Sequence, residues 1–228
     1  MTNGVENRRP IKARSSAFAN VLARKLADIG CTPDQISMAS VGFAALAGAA
    51  FLLAPIVGPP LYLVAAISCP LRLLANLLDG MVAVEHGKAS PVGPLFNEVP
   101  DRVADVLILA SMGIGAGWVV DGGFVAALAP LLGWCAAVLA LMTAYIRELG
   151  RALGNSADFC GPFAKQQRMW VVSGAAFLAA VLGGLAPIIL FSALLLLTLG
   201  TAFTVLRRLQ RLAAALRAQP SGTERRTS

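Results

Sequence analysis

Two stretches of this 228-residue chain place oxygen-bearing and ionisable side chains at helical spacing inside otherwise apolar sequence. In the first, Arg72, Asn76, Asp79 and Ala83 share one face at about 100° per residue, with Gly80 beside them. In the second, Gly93, Asn97, Asp101 and Asp105 recur every four residues, drifting by about 40° per step. An ionisable group at membrane depth costs about 2.5–3.5 kcal/mol on insertion scales, so such groups face a cavity, a partner or a metal. Two helices that each present a short ladder of oxygens build a cation site between them. Oxygen donors suit a hard divalent ion, Mg²⁺ or Mn²⁺, which would also hold a diphosphate. The plainer alternative is an Arg72 pair with Asp79 or Asp101 that only joins helices. Gly80 and Gly93 let backbone approach a ligand closely, although each taken singly also reads as a packing glycine.

The elements that must position these ladders are membrane spans. The chain is 57% hydrophobic and 14% charged, against roughly 25% charged for a soluble domain. Six apolar stretches, at 37–58, 61–84, 103–120, 124–146, 169–185 and 188–206, approach the roughly 20 residues a helix needs to cross the hydrocarbon core. Gly183, Gly184 and Pro187 supply the turn that divides the last two. The expected fold is therefore all-α and polytopic, with six transmembrane helices. The loops around Pro59, Asp121 and Pro187 hold no Lys or Arg, whereas the opposite side holds Arg8, Arg9, Lys12, Arg14, Arg24, Lys25, Lys88, Arg102, Arg147, Arg151, Lys165, Arg168 and the arginines from Arg207 onward. Both termini are thus expected in the cytosol, with the chain in the inner cell membrane. The +7 net charge reads as topology and attraction to anionic lipid, which excludes nucleic acid as the reason for it.

Phe18, Leu22, Leu26 and Ile29 fall on one face of 15–30, the pattern of an amphipathic helix lying along the interface. Three parts follow: a cytosolic segment at 1–36 carrying that helix, a six-helix domain at 37–209, and a basic cytosolic tail at 210–228. The tail is expected to be disordered. A secretory signal peptide is not expected, because the first 36 residues are basic and amphipathic. Cys31, Cys69, Cys135 and Cys160 are scattered without a metal or redox spacing.

The run Asn76-Leu-Leu-Asp79-Gly80-Met-Val-Ala83-Val84, eight residues, then Gly93-Pro-Leu-Phe-Asn97-Glu-Val-Pro-Asp101 resembles the signature of the CDP-alcohol phosphatidyltransferases. That signature reads Asp-x2-Asp-Gly-x2-Ala-Arg, eight or nine residues, Gly-x3-Asp-x3-Asp. The spacing agrees throughout, and Thr32-Pro33-Asp34-Gln35-Ile36 before the first span is also similar to the family. The resemblance implies a phospholipid-biosynthetic transferase. It would move a phosphatidyl-type group from CDP-diacylglycerol, or a similar CDP-alcohol, to a hydroxyl acceptor and release CMP. It implies that Asp79 helps hold the metal and the diphosphate, that Gly80, Ala83 and Gly93 line the cytidine pocket, and that Asp101 is the general base. The family commonly forms homodimers, so a second copy is among the expected partners beside the bilayer.

Three positions depart from the signature: Asn76 and Asn97 replace metal-binding aspartates, and Val84 replaces arginine. Asparagine still offers a carbonyl oxygen, so the expected metal set is Asn76, Asp79, Asn97, Asp101 and Asp105, with Asp105 restoring a ligand one turn beyond Asp101. Arg72, one turn before Asn76, is expected to contact phosphate. Arg147 and Lys165 form the expected acceptor-binding pair, while Glu98 and Arg102 read as an i,i+4 surface pair. His86 reads as a solvated loop residue, and Arg151 and Arg168 as topology charges. Two rival functions stand beside the transferase. One is a catalytically silent relative that binds CDP-lipid or a partner protein; the other is a small transporter with an Arg72–Asp79–Asp101 ion path.

Overall fold

The computed structural model describes residues 16–85, 91–118 and 123–219, and among these all regular structure is helical. The basic residues at 8–14, His86, Lys88, Asp121 and the end of the tail from 220 lie outside the described residues. In chain order the α-helices are α1 (Ala17–Asp28), α2 (Pro33–Val57), α3 (Leu61–Glu85), α4 (Gly93–Trp118), α5 (Gly123–Ala152), α6 (Lys165–Val181) and α7 (Ala186–Ala218), with a 3₁₀ turn at Gly183–Leu185.

Local chemistry sets the boundaries. Thr32 opens α2 with a reciprocal capping box: its Oγ1 accepts from the Gln35 backbone N–H at 3.2 Å, and Gln35 Oε1 accepts from the Thr32 N–H at 3.0 Å. Pro33 then occupies the first turn, where its missing N–H costs nothing. Gly58, at φ +131°, ends α2 in a conformation that L side chains rarely adopt.

Four segments are long and apolar enough to cross a membrane: Pro33–Val57, Leu61–Val84, Gly123–Ala152 and Gly183–Ala218. The other two expected spans fall short of that mark for different reasons. α4 is 26 residues long but carries Glu98, Asp101, Arg102 and Asp105 in its first half. α6 is 17 residues long, somewhat under the usual crossing length.

Side-chain size is sorted inside out. The core is dominated by alanine, including Ala44, Ala47, Ala65, Ala104, Ala129, Ala136, Ala140 and Ala176, all fully buried. Large apolar side chains such as Leu53, Ile67, Leu131, Phe177, Leu199 and Phe203 stand exposed. Lipid is as apolar as leucine, so helices in it associate by close backbone approach rather than by hiding large side chains. The α4–α5 crossing shows how close. A Cβ built at Gly113 would lie 2.6 Å from the Ala129 carbonyl oxygen, and one at Gly133 would lie 2.7 Å from that of Leu109.

The packing order positions the site. α2 lies against both α3 and α4, α5 against α4 and α7, and α6 bridges α3 and α7. α3 and α4 themselves scarcely meet along their backbones. The interval between them is closed by side chains.

Candidate active site

The two ladders face each other across that interval. Arg72, fully buried on α3, donates from Nη2 to the Asp101 backbone carbonyl at 3.0 Å and lies 2.8 Å from Asp105 Oδ1. The Asp101 carboxylate is 3.6 Å from the same nitrogen. Asn76, one turn along α3, donates its Nδ2 to Asp101 Oδ1. Lys165 Nζ, at the first residue of α6, sits 2.5 Å from both Asp101 oxygens. Asp79 accepts a 2.5 Å hydrogen bond from Ser37 Oγ on α2. Asp79 and Asp101 are 4% and 7% exposed, so both carboxylates are held out of bulk solvent.

Deeper in the bundle, Asp105 lies between two guanidiniums. Arg168 Nη2 donates to Asp105 Oδ2 at 2.7 Å, and its Nη1 donates to the Phe163 carbonyl at 3.0 Å. Asp105, expected to restore a metal ligand, is thus paired with arginine on both sides. Both of its oxygens face arginine, and two buried guanidiniums around one carboxylate make an ion-pair centre that repels a further cation. Asn97 is likewise displaced from the expected set: it is exposed and shares no hydrogen bond with the cluster among the described residues. Arg168, read as a topology charge, is 1% exposed.

The remaining donors define what a divalent ion would find. Asp79 and Asp101 offer carboxylates and Asn76 an amide oxygen. Among the described residues no three carboxylate, thiol or imidazole groups come together as a metal cage. The Lys165 ammonium nevertheless shows that Asp101 attracts a cation at this point. Among the described residues the donor set fits one hard ion that completes its shell with phosphate oxygens or water.

Gly80, half-buried, borders open space: a Cβ added there would meet nothing within 4 Å. Ala83 follows one turn later and is half-buried, and Gly93 is the first residue of α4. All three therefore lie near the end of α3 and the start of α4, while the connecting residues 86–90 lie outside the described residues.

The expected acceptor pair is split. Lys165 goes to Asp101, as above. Arg147, on α5, donates to Glu98 Oε1 and Oε2 at 2.6 and 2.7 Å and from Nε to Glu148 at 2.8 Å, and it stacks 5.6 Å above the Phe159 ring. Glu98 keeps its pair with Arg102 at 2.9 Å as well, so what reads as a surface pair is a link between α4 and α5. Arg147 also lines a cavity of about 230 Å³ with Asn155, Ser156, Asp158, Arg208 and Arg211. Arg208 is fixed there by donating to the Thr143 carbonyl at 2.6 Å and to the Cys160 carbonyl at 2.9 Å. Partial burial alone would raise the Asp158 carboxyl. The Cys160 backbone N–H at 2.8 Å, the Cys160 thiol and the nearby Arg211 and Arg208 outweigh it and hold the group below its ordinary range.

Ser37, Arg168 and Arg208 are the site residues that sequence reasoning missed. A lone serine in an apolar run carries no signal of its own, and the two arginines sit among flanking charges that membrane topology already explains.

No family model matches the chain. Over 137 residues it is 26% identical to the inner membrane protein YnbA of Escherichia coli K12, an alignment covering 60% of this chain and 62% of the length of that relative. Three solved structures of Mycobacterium tuberculosis phosphatidylinositol phosphate synthase are similar to it. The form with CDP-DAG bound aligns at a TM-score of 0.69 and 22% identity, over 86% of this chain and 94% of that one. The manganese and citrate complex aligns at 0.69 and 22%, over 86% and 88%. The apo form aligns at 0.65 and 23%, over 83% and 93%. The chain is a helical membrane protein with the fold of that synthase.

Proposed function

We propose that this chain is a phospholipid-biosynthetic transferase that moves a phosphatidyl-type group from CDP-diacylglycerol, or a similar CDP-alcohol, to a hydroxyl acceptor with release of CMP. The observation that carries the reading is the convergence of Asp79 on α3 and Asp101 on α4, both buried, where α3 closes and α4 begins. The shared fold with a synthase solved with CDP-DAG bound supports it, as does the fit of the signature spacing.

Asp101 acts as the general base, taking the proton of the acceptor hydroxyl. The resulting alkoxide attacks the β-phosphorus of the donor, the bond to the bridging oxygen breaks, and CMP departs with that electron pair. Such transfer asks little covalent help of the protein and much positioning and cationic neutralisation. Asp79, Asp101 and the Asn76 amide would hold Mg²⁺ or Mn²⁺, which when bound neutralises phosphate charge. The neighbouring synthase was solved with manganese, which supports that choice of ion. Arg72 supplies fixed positive charge beside Asp101, while Gly80, Ala83 and Gly93 leave room for the nucleotide. Arg147, Arg208 and Arg211 line the adjacent cavity and favour an acceptor that itself carries phosphate. Lys165 stands between that cavity's loop and the base.

Six spans, with α4 and α6 crossing beside the four longer segments, put both termini in the cytosol and α1 along the interface, and a homodimer is the expected assembly. The transferase domain is 37–209, between the N-terminal segment 1–36 and the basic tail 210–228. One observation favours the silent-relative reading instead: Lys165 and Asn76 both engage the carboxylate that must act as base. Purified protein incubated with CDP-diacylglycerol, Mg²⁺ or Mn²⁺ and a panel of plain and phosphorylated alcohols separates the two. The transferase releases CMP only when an acceptor is present, whereas a silent relative binds the donor and releases none.

A further inference from the structure

Four cations crowd Asp101 and Asp105, and they are not equally fixed. Arg72 is fully buried and anchored to the Asp101 backbone carbonyl as well as to Asp105. Arg168 is anchored to Asp105 and to the Phe163 carbonyl. Arg102 is turned toward Glu98, with Asp101 Oδ2 3.9 Å away. Lys165 differs from all three. Among the described residues its ammonium is bound only by the two oxygens of Asp101, its side chain is 24% exposed, and it is the first residue of a helix whose preceding Ala164 provides no side-chain cap. A lysine is a compact charge on a flexible four-carbon stem, so it can leave a site without unfolding the helix that carries it.

The place Lys165 holds is also the place an ion must take. Asp101 has two oxygens, and one ammonium spans both of them. Asn76, which would lend an amide oxygen, is instead donating to the same carboxylate. We propose that Lys165 is a built-in competitor of the divalent ion: its ammonium caps Asp101 in the ion-free protein, and ion binding displaces it. This rests on the transferase reading only in assuming that a divalent ion binds at Asp79 and Asp101. The consequence is an ion affinity set by a residue that is not itself a ligand.

The test uses the full chain in detergent with Mn²⁺ alone, followed by electron paramagnetic resonance of the free ion, for the native protein and for Lys165→Met. Modification of Lys165 by an amine-reactive reagent is mapped by mass spectrometry with and without Mn²⁺. Removing the competing charge is expected to tighten Mn²⁺ binding by at least roughly tenfold, since close charge pairs couple by more than that factor. Saturating Mn²⁺ is expected to raise Lys165 modification in the native protein. Asp101→Asn is expected to leave Lys165 reactive whether or not Mn²⁺ is added. Equal or weaker Mn²⁺ binding by folded Lys165→Met overturns the competitor while leaving the ion site standing, and so does Lys165 reactivity that Mn²⁺ does not change. Absence of Mn²⁺ binding in both proteins overturns the ion site itself and the competitor with it. Should Lys165→Met fail to fold, the modification experiment on the native chain decides alone.

Discussion

The proposed transfer asks Asp101 to do two things at once, to attract cations and to accept a proton. Lys165 at 2.5 Å and Arg72 at 3.6 Å show how strongly its position is biased toward positive charge. Among the described residues the proposed base has no free substitute, because Asp105 is bound by Arg72 and Arg168 and Asp79 by Ser37. Asp101→Asn keeps the shape and removes the proton acceptor. Turnover is expected to fall by about 10²–10⁴-fold while CDP-lipid binding persists, checked by CMP release beside equilibrium binding. Asp105→Asn probes a different property. It leaves two buried guanidiniums facing an uncharged amide, and breaking a buried pair in this way costs about 3–5 kcal/mol. The variant is expected to unfold at lower temperature in detergent, with Arg72 or Arg168 no longer fixed. Asp158 supplies a pH dependence outside the membrane. Its carboxyl is held below its ordinary range in the folded chain, so its contribution to stability is present above the unfolded pKa and is lost as pH falls through the folded one. Acidifying below about pH 4 is expected to loosen 153–164, read as faster backbone hydrogen exchange in that loop than in α5.

At the scale of elements, two of the three helices that meet at Asp101 are the least span-like of the bundle. α4 combines the second ladder with Glu98 and Arg102, and α6 is short because it starts at Lys165, where it must reach Asp101. Position along α4 is then fixed by the glycine crossing with α5. Gly113→Val would drive a side chain into the Ala129 carbonyl, already 2.6 Å from where a Cβ would lie. Such overpacking costs about 1–3 kcal/mol, and a shifted α4 carries Asp101 with it. The expected result is a lowered melting temperature together with lost turnover, whereas Gly174→Ala, where a Cβ meets nothing within 4 Å, is expected to change neither.

Much of this was legible in the chain itself. Period-four spacing of Gly93, Asn97, Asp101 and Asp105 marks a helix inside what a hydropathy scan treats as a loop, and the Thr32–Gln35 box places the start of α2. What stayed hidden depends on contacts across long sequence separations. Lys165 lies 64 residues from Asp101 and Arg168 lies 63 from Asp105; neither pairing leaves a local pattern. A basic residue beside a span satisfies the topology rule whether it is solvated or buried, so Arg168 and Arg208 look alike with Arg151 in sequence and differ only once the bundle is packed.

For the whole molecule, an alanine core clothed in leucine and phenylalanine is what a lipid-embedded bundle requires, and among the described residues the buried charged side chains gather at one end of it. That end gathers the N-terminal part of α2, the close of α3, the start of α4, the close of α5, the start of α6 and the later turns of α7, through Ser37, Asp79, Asp101, Arg147, Lys165 and Arg208. In the proposed transfer, a donor lipid lying in one leaflet would meet the site from that side. The most direct measurement follows the phosphorus: CDP-diacylglycerol labelled at the β-phosphate is given to the purified protein with Mn²⁺ and a phosphorylated alcohol. The transfer mechanism predicts that the label moves into a new lipid containing the acceptor while unlabelled CMP is released. Label that stays in CDP-diacylglycerol, or that leaves with the nucleotide, would contradict it.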